Sequence, residues 1–393
     1  MNLLLEIENR QKTKDETFSI LGTEIKSQRL KNNMTLKETA ENVCSVSYLC
    51  KIERNDINPN PFFIEKICDR VSINEEELKT LYNLSSLISN VEKAVYYDDG
   101  DEIDKAYLKV KELDNYKARL IKLIYFIYHN KKDEAICINN QLNQLTACMS
   151  TADLISFALF CAMVYKKCNE LKDATEILKK VIKSPYASEY GLGIAMNMLL
   201  DIYYVTNSRR FLPIADRTME FNTTHMNHKR YDYAMFLKAK HYLMNGIYDE
   251  FSLMIEKFKK SEYAQTIDLL NGAYNFKTRK PESYKGVSRF YYYIAMFFNN
   301  SKRFYLLDKD YQMLNDYEAL YIKYLDLISK DDKDQFPIIM NELLPSALKM
   351  NATYLVGRLS ELLVKKLCRD ARYKQAYEIL NKALNQMKAF DSL

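Results

Sequence analysis

Three segments of the chain share one design: Lys131-Lys-Asp-Glu-Ala-Ile-Cys137, Leu171-Lys-Asp-Ala-Thr-Glu-Ile-Leu178 and Tyr373-Lys-Gln-Ala-Tyr-Glu-Ile-Leu380. Each sets a small residue (Ala135, Ala174, Ala376) early in a helix-forming stretch and follows it with Ile or Leu. Ala135 and Ala174 are 39 residues apart; a weaker copy, Arg210-Phe-Leu-Pro-Ile-Ala215, follows 41 later, and Tyr248-Asp-Glu-Phe251 lies 36 beyond it. A small residue at a fixed place lets two helices of a hairpin approach closely. Such a hairpin buries its apolar face only against neighbouring hairpins, so the pattern demands an array. The expected fold is all-α, with residues 86–393 forming a right-handed solenoid that has a concave surface.

The spacing is close to that of tetratricopeptide repeats. Composition agrees: Gly 8 and Pro 7 in 393 residues leave no room for the turns of an all-β fold or for a long flexible linker. The longest apolar run, Leu154 to Tyr165, is about 12 residues, against the ~20 a membrane span needs. Met1-Asn-Leu-Leu-Leu-Glu is too short an apolar run for a secretory signal. The eight Cys (44, 50, 68, 137, 148, 161, 168, 368) contain no C-x-x-C pair and read as buried, reduced thiols. A cytoplasmic chain with no membrane partner is expected.

Residues 1–20 are charged and weakly patterned, an N-terminal extension. Residues 21–84 carry a different pattern, five short helices. Leu21 to Lys31 forms the first, broken by Asn32-Asn33. Thr35 caps a second, with Glu38 completing a capping box, through about Val43. Ser45 caps a third through about Arg54, with Asn55 just past its end. Asn58-Pro-Asn-Pro61 turns into a fourth, Phe62 to Val71, and Asn74-Glu-Glu-Glu77 opens a fifth through about Asn83. The second and third helices with their tight turn have the layout of a helix-turn-helix, which sets the start of its second helix into the major groove. Ser45, Val46, Ser47 and Tyr48 occupy that first turn, and Lys51 lies one turn on. Val46 suits a thymine methyl, and the serines suit bases or phosphates. Lys26, Lys31 and Lys37 are further phosphate partners. Ala40, Val43, Leu49 and Ile52 read as core. Net charge is only +5, and residues 21–70 hold eight basic against seven acidic side chains, so DNA binding rests on arrangement rather than excess charge.

Leu21-Gly22, Ile25, Arg29, Met34-Thr35, Ala40-Glu41, Ser47-Tyr48 and Lys51-Ile52-Glu53-Arg54 resemble the Cro/repressor-type helix-turn-helix. The resemblance implies that Arg29 and Glu53 form a structural ion pair. Leu36 stands where that family often carries a DNA-contacting Gln, so base specificity does not transfer. The short turn Glu41-Asn42-Val43-Cys44-Ser45-Val46-Ser47, joined to a helical array, resembles the RRNPP group of peptide-sensing regulators of Gram-positive bacteria (Rgg, Rap, Npr, Plc, Prg). That resemblance implies a homodimeric, quorum-sensing transcription regulator that binds double-stranded DNA and a short re-imported signal peptide. The richness in Asn, Lys, Ile and Tyr hints at an AT-rich genome, in whose relatives such regulators control sporulation or toxin genes.

In a groove that holds an extended peptide, amide side chains take the backbone and aromatic pockets take the side chains. Asn197, Asp201 and Tyr204 fall at i, i+4, i+7 of one expected helix; Tyr233, Phe236, Lys238 and Tyr242 fall on the next, then Asn271 and Asn275, then Tyr292 within Phe290-Tyr-Tyr-Tyr-Ile-Ala-Met-Phe-Phe298. Of the tyrosines, 31 in all, most serve hairpin packing, and Asn197 in an apolar helix is the strongest single candidate. His225-x-x-His228 lacks a third ligand nearby, and no phosphate-binding loop, nucleophile elbow or H-E-x-x-H occurs. No enzyme, metal or cofactor is expected. The competing expectation is a helical-repeat scaffold that sequesters a response regulator or other protein, with the helix-turn-helix as an accessory.

Overall fold

The structure, a computed structural model, describes residues 3–4, 6–7, 20–54, 57, 60–73, 75–146, 149–206, 208–245, 247–258, 261–274, 290–291, 294, 314–329 and 335–391. Among them the regular structure is helical, with no strand. The chain divides into two compact units, Met1–Met198 and Leu199–Leu393.

The first unit opens with α1 (Ile20–Lys31), α2 (Leu36–Ala40), α3 (Val46–Glu53) and α4 (Pro61–Val71). They close on a core of Ile25, Ala40, Leu49, Ile52, Ile67, Val71 and Ile73. Fully burying each large aliphatic there contributes about 1.5–3 kcal/mol. The next helix, α5 (Glu75–Tyr97), is a single 23-residue helix. It was expected to end near Asn83. Its register instead carries Leu84, Ile88, Val91 and Val95, all buried, so the apolar stripe and the helix continue into the body.

Hairpins follow: α5 with α6 (Gly100–Val110), α7 (Tyr116–Tyr128) with α8 (Lys132–Asn143), and α9 (Thr151–Lys167) with α10 (Leu171–Lys183). The first helices α5, α7 and α9 also pack on one another, as stacking hairpins must. A buried polar cluster ties those three together. Lys117 of α7 pairs with Asp153 of α9 at 3.2 Å and donates to Ser85 of α5 at 2.6 Å. Tyr116 donates to Asp153 at 2.8 Å, and Ser156 and Ser188 donate to Glu92 of α5. Of the N-terminal extension, Leu3 and Ile7 are buried, and the Leu4 carbonyl accepts from Lys180 of α10 at 3.3 Å.

One turn recurs between these helices. A residue at positive φ ends a helix (Asp98, Asn130, Asn169), and the next N–H reaches back five residues, as from Lys131 to Phe126 at 2.9 Å and from Glu170 to Tyr165 at 2.8 Å. This is the Schellman closure, with Asn in place of the usual glycine. That substitution is how a helical chain with so few glycines closes its hairpins.

α11 (Glu189–Val205) carries the chain from the first unit into the second. The second unit continues with α12 (Phe211–Thr224), α13 (His228–Met244), α14 (Tyr248–Ile255), α15 (Ala264–Tyr274), α16 (Asp316–Ser329), α17 (Gln335–Ile338), α18 (Leu344–Lys349), α19 (Thr353–Arg369) and α20 (Tyr373–Asp391). Ile339–Leu343, between α17 and α18, is π-helical, which relieves the clash of the Pro345 ring with the preceding turn. Within this unit α12 packs on α13, α13 on α14 and α19 on α20. The closure recurs at Met226, Asn351 and Ala371.

The alanines that suggested a repeat behave alike. Ala135, Ala174, Ala215 and Ala376 are all buried in the first turns of α8, α10, α12 and α20. Phe251 takes the same place in α14, also buried. The cysteines depart from expectation. Among the described ones only Cys68 and Cys161 are buried, where desolvation pushes their thiols up to about 11 and about 12; Cys137 and Cys368 are exposed. None forms a disulfide. Cys148 and Asn55 lie outside the described residues. No described helix is long and apolar enough to cross a membrane.

Candidate nucleic-acid interface

Thr35 and Glu38 form the expected capping box: the Thr35 hydroxyl accepts from the Glu38 N–H at 3.2 Å, and the Glu38 carboxylate accepts from the Thr35 N–H at 2.7 Å. The Thr35 N–H, and after it the Thr35 side chain, hold the Glu38 carboxyl below its ordinary range. α2 is shorter than expected, ending at Ala40 rather than near Val43, because Asn42 turns the chain at φ 56°. Arg70 of α4 braces that turn, donating to the carbonyls of Glu38 (3.2 Å) and Glu41. Sequence reasoning missed Arg70. Its partners are backbone oxygens, which no residue pattern advertises.

Ser45 caps α3, its hydroxyl accepting from the Tyr48 N–H at 3.1 Å and keeping its own proton to donate outward. Val46, 44% exposed, and Ser47 follow on the open first turn, and Lys51 is exposed a turn later. Leu49 and Ile52, on the other face, are buried. Tyr48 has a second occupation. Its ring meets Phe63 edge-on at 5.4 Å, and its hydroxyl accepts from the Asn60 N–H at 3.2 Å, so it fastens α3 to the start of α4.

Arg29 and Glu53 pair in two parallel hydrogen bonds, Nε to Oε1 at 2.6 Å and Nη2 to Oε2 at 2.9 Å, and Arg29 also donates to the Met34 carbonyl at 2.9 Å. Both are buried. The acid on α3 is thereby neutralised inside the fold. Lys37 is exposed and Lys26 half-buried. Lys31 reaches Asp114 at 3.9 Å, but both are about half exposed, and such a pair is worth at most about 1 kcal/mol and yields readily to a phosphate.

The candidate groove residues are dispersed. Asn197 is 4% exposed and its amide donates to the Gly193 carbonyl one turn back at 2.7 Å, so its side chain lies inside the fold rather than on an open face. In the second unit Asp201 accepts from the Tyr233 hydroxyl at 3.1 Å, and Lys238 pairs with Asp216 and lies over the Tyr242 ring. Tyr204, Tyr242 and Asn271 are half-buried. Tyr292 and Asn275 lie outside the described residues. His225 bonds to the Phe221 carbonyl at 2.8 Å and stacks on that ring; no cluster of metal-ligating side chains occurs among the described residues.

These features define a DNA-binding helix-turn-helix domain of the Cro/repressor type on a body of helical hairpins. Residues 25–78 match the helix-turn-helix family. Among solved structures, the chain is similar to Bacillus thuringiensis PlcR in complex with the peptide PapR7 and DNA, at 16% identity and a TM-score of 0.35, covering 63% of this chain and 98% of that one. It is likewise similar to the apo form of the competence regulator ComR from Streptococcus vestibularis, at 16% identity and a TM-score of 0.35, covering 64% and 97%. At those values neither likeness adds to what the domain's own geometry says. No curated protein matches the chain.

Proposed function

We propose that the chain is a sequence-specific transcription regulator: a homodimer that presents α3 to the major groove and is biased by a short peptide held by the helical body. One observation carries the DNA half of this reading. The first turn of α3 offers Ser45, Val46, Ser47 and Lys51 outward while its acid, Glu53, is locked to Arg29 inside. Dimerisation follows from the small size of one recognition helix: two half-sites a helical turn apart multiply affinity. The partly exposed tyrosines around Asp201 and Lys238 support a ligand in the body.

The test uses DNA fragments selected from a random pool by the purified protein. Affinity is expected to fall steeply with salt, and Lys51→Ala to reduce the log–log salt slope by about one while leaving thermal stability unchanged. Absent or salt-insensitive binding would overturn the reading and favour a scaffold. Peptides that act should raise the melting temperature and alter DNA affinity together, since a ligand shifts an equilibrium only by its differential affinity for the two states.

A further inference from the structure

Lys240 of α13 is 7% exposed. Its ammonium lies over three rings, Tyr204 at 5.3 Å, Phe290 at 5.0 Å and Tyr291 at 4.9 Å, and makes one hydrogen bond, to the Tyr291 hydroxyl at 3.2 Å. Among the described residues no carboxylate comes within ion-pair distance; Glu318 acts only through space, and Asp201 is held by Tyr233. Two residues earlier on the same helix, Lys238 has its acid, Asp216. Among the described residues the more exposed lysine thus has a counterion and the buried lysine has none. An ammonium sunk among rings without an anion is costly, and lysine's long stem ordinarily lets the charge escape to water.

The surroundings match what is missing. The hydroxyls of Tyr204, Tyr291, Tyr317 and Tyr321 are pushed upward chiefly by burial, with Glu318 adding to the shift at Tyr291 and Tyr354 at Tyr317 and Tyr321, so they stay protonated as donors. A cation, phenolic donors and aromatic faces, with no carboxylate of the described residues within ion-pair distance of the ammonium, complement a carboxylate next to an apolar group. Tyr204 and Tyr291 each keep part of their surface exposed. We propose that Lys240 anchors a carboxylate-binding site in the second unit, the ligand's carboxylate replacing the Tyr291 hydroxyl and its neighbouring apolar group lying on the Tyr204 and Phe290 rings. The source is a peptide's C-terminus or an acidic side chain, and here the site rests on the peptide reading for its natural ligand. Burial holds the Lys240 pKa down to about 8, so the anchor is still charged at neutral pH.

The test titrates the full chain with 3-phenylpropionate and its neutral counterpart 3-phenylpropionamide. The acid is expected to raise the melting temperature saturably and the amide to leave it unchanged. The acid's affinity should weaken as pH rises above about 8, where the anchor loses its proton. Lys240→Met should stay folded and lose at least tenfold in affinity for the acid, whereas the exposed Lys132→Met should keep it. Equal responses to acid and amide, no response to the acid, or a response that survives in Lys240→Met would overturn the site; should Lys240→Met not fold, the acid–amide contrast and its pH dependence decide alone. Heptapeptide pools separate the sources: loss of binding on C-terminal amidation indicates the terminus, and retention by amidated pools containing Asp or Glu indicates a side chain. If phenylpropionate binds but no peptide alters DNA affinity, the site stands and the peptide-sensing reading falls. If peptides act equally on Lys240→Met and wild type, the reverse holds.

Discussion

Glu53 belongs to the helix proposed to meet DNA, yet Arg29 takes both its oxygens in the core. Removing one partner from such a buried pair strands the other. Arg29→Ala is therefore expected to cost about 3–5 kcal/mol, read as a lower urea midpoint, whereas the double change Arg29→Met with Glu53→Leu should recover most of it. Failure of the double variant to recover would mean the bond to the Met34 carbonyl, not the ion pair, holds the turn. Glu92 makes a second residue-level case. Burial, and Asp153 nearby, raise its pKa above 4.5 despite hydrogen bonds from Ser156 and Ser188. The folded state thus holds that proton more tightly than the unfolded chain. Its stabilising effect is complete below the unfolded value and fades as pH rises through the folded one. Glu92→Gln is expected to be indistinguishable near pH 4 and more stable than wild type at pH 8, measured by urea unfolding at both.

At the scale of elements, the recurring closure makes a prediction about its least suited member. Ala371 sits at φ 57° between α19 and α20, a conformation that costs an L-residue with a Cβ about 1–2 kcal/mol. Glycine relieves that cost but loses more entropy on folding, so Ala371→Gly should gain about 0.5–1 kcal/mol net. Asn130→Gly, at the same place between α7 and α8, should gain less, since Asn already tolerates the conformation. Thermal unfolding of the two variants checks the order. Periodicity made the hairpins legible beforehand: small residues at about 39-residue spacing landed buried in the first turns of α8, α10, α12 and α20. Caps were legible too, since Thr35–Glu38 and Ser45 act through neighbours in sequence. The length of α5 was not, because its polar stretch Asn83–Ser86 looks like a break until Lys117, 32 residues away, claims Ser85. Nor was the burial of Asn197, whose amide donates to the Gly193 carbonyl of its own helix. The bracing roles of Tyr48 and Arg70 were not legible for one reason: their partners, the Asn60 N–H and two carbonyls, are backbone groups invisible to a residue pattern.

The face that bears on assembly of the whole molecule is on α20, which exposes Tyr373, Tyr377, Leu380 and Leu384, at 66, 69, 44 and 42%, in the i, i+4, i+7, i+11 spacing of one helical stripe. A second copy of the same helix would cover that stripe in an isologous contact, one patch meeting itself across a two-fold axis. The homodimer proposed above would then have a specific seat. Tyr377→Glu puts a charge at the stripe's most exposed position without touching buried groups, and in a two-fold contact it brings two like charges together. It is expected to convert the protein from dimer to monomer by light scattering, with the melting temperature of the chain little changed in dilute solution. DNA carrying two half-sites should then bind more weakly, while the salt slope per bound chain stays as it was, because Lys51 of α3 and Lys26, Lys31 and Lys37 are untouched. A Tyr377→Glu protein that remains dimeric would place self-association elsewhere and leave the stripe to another partner.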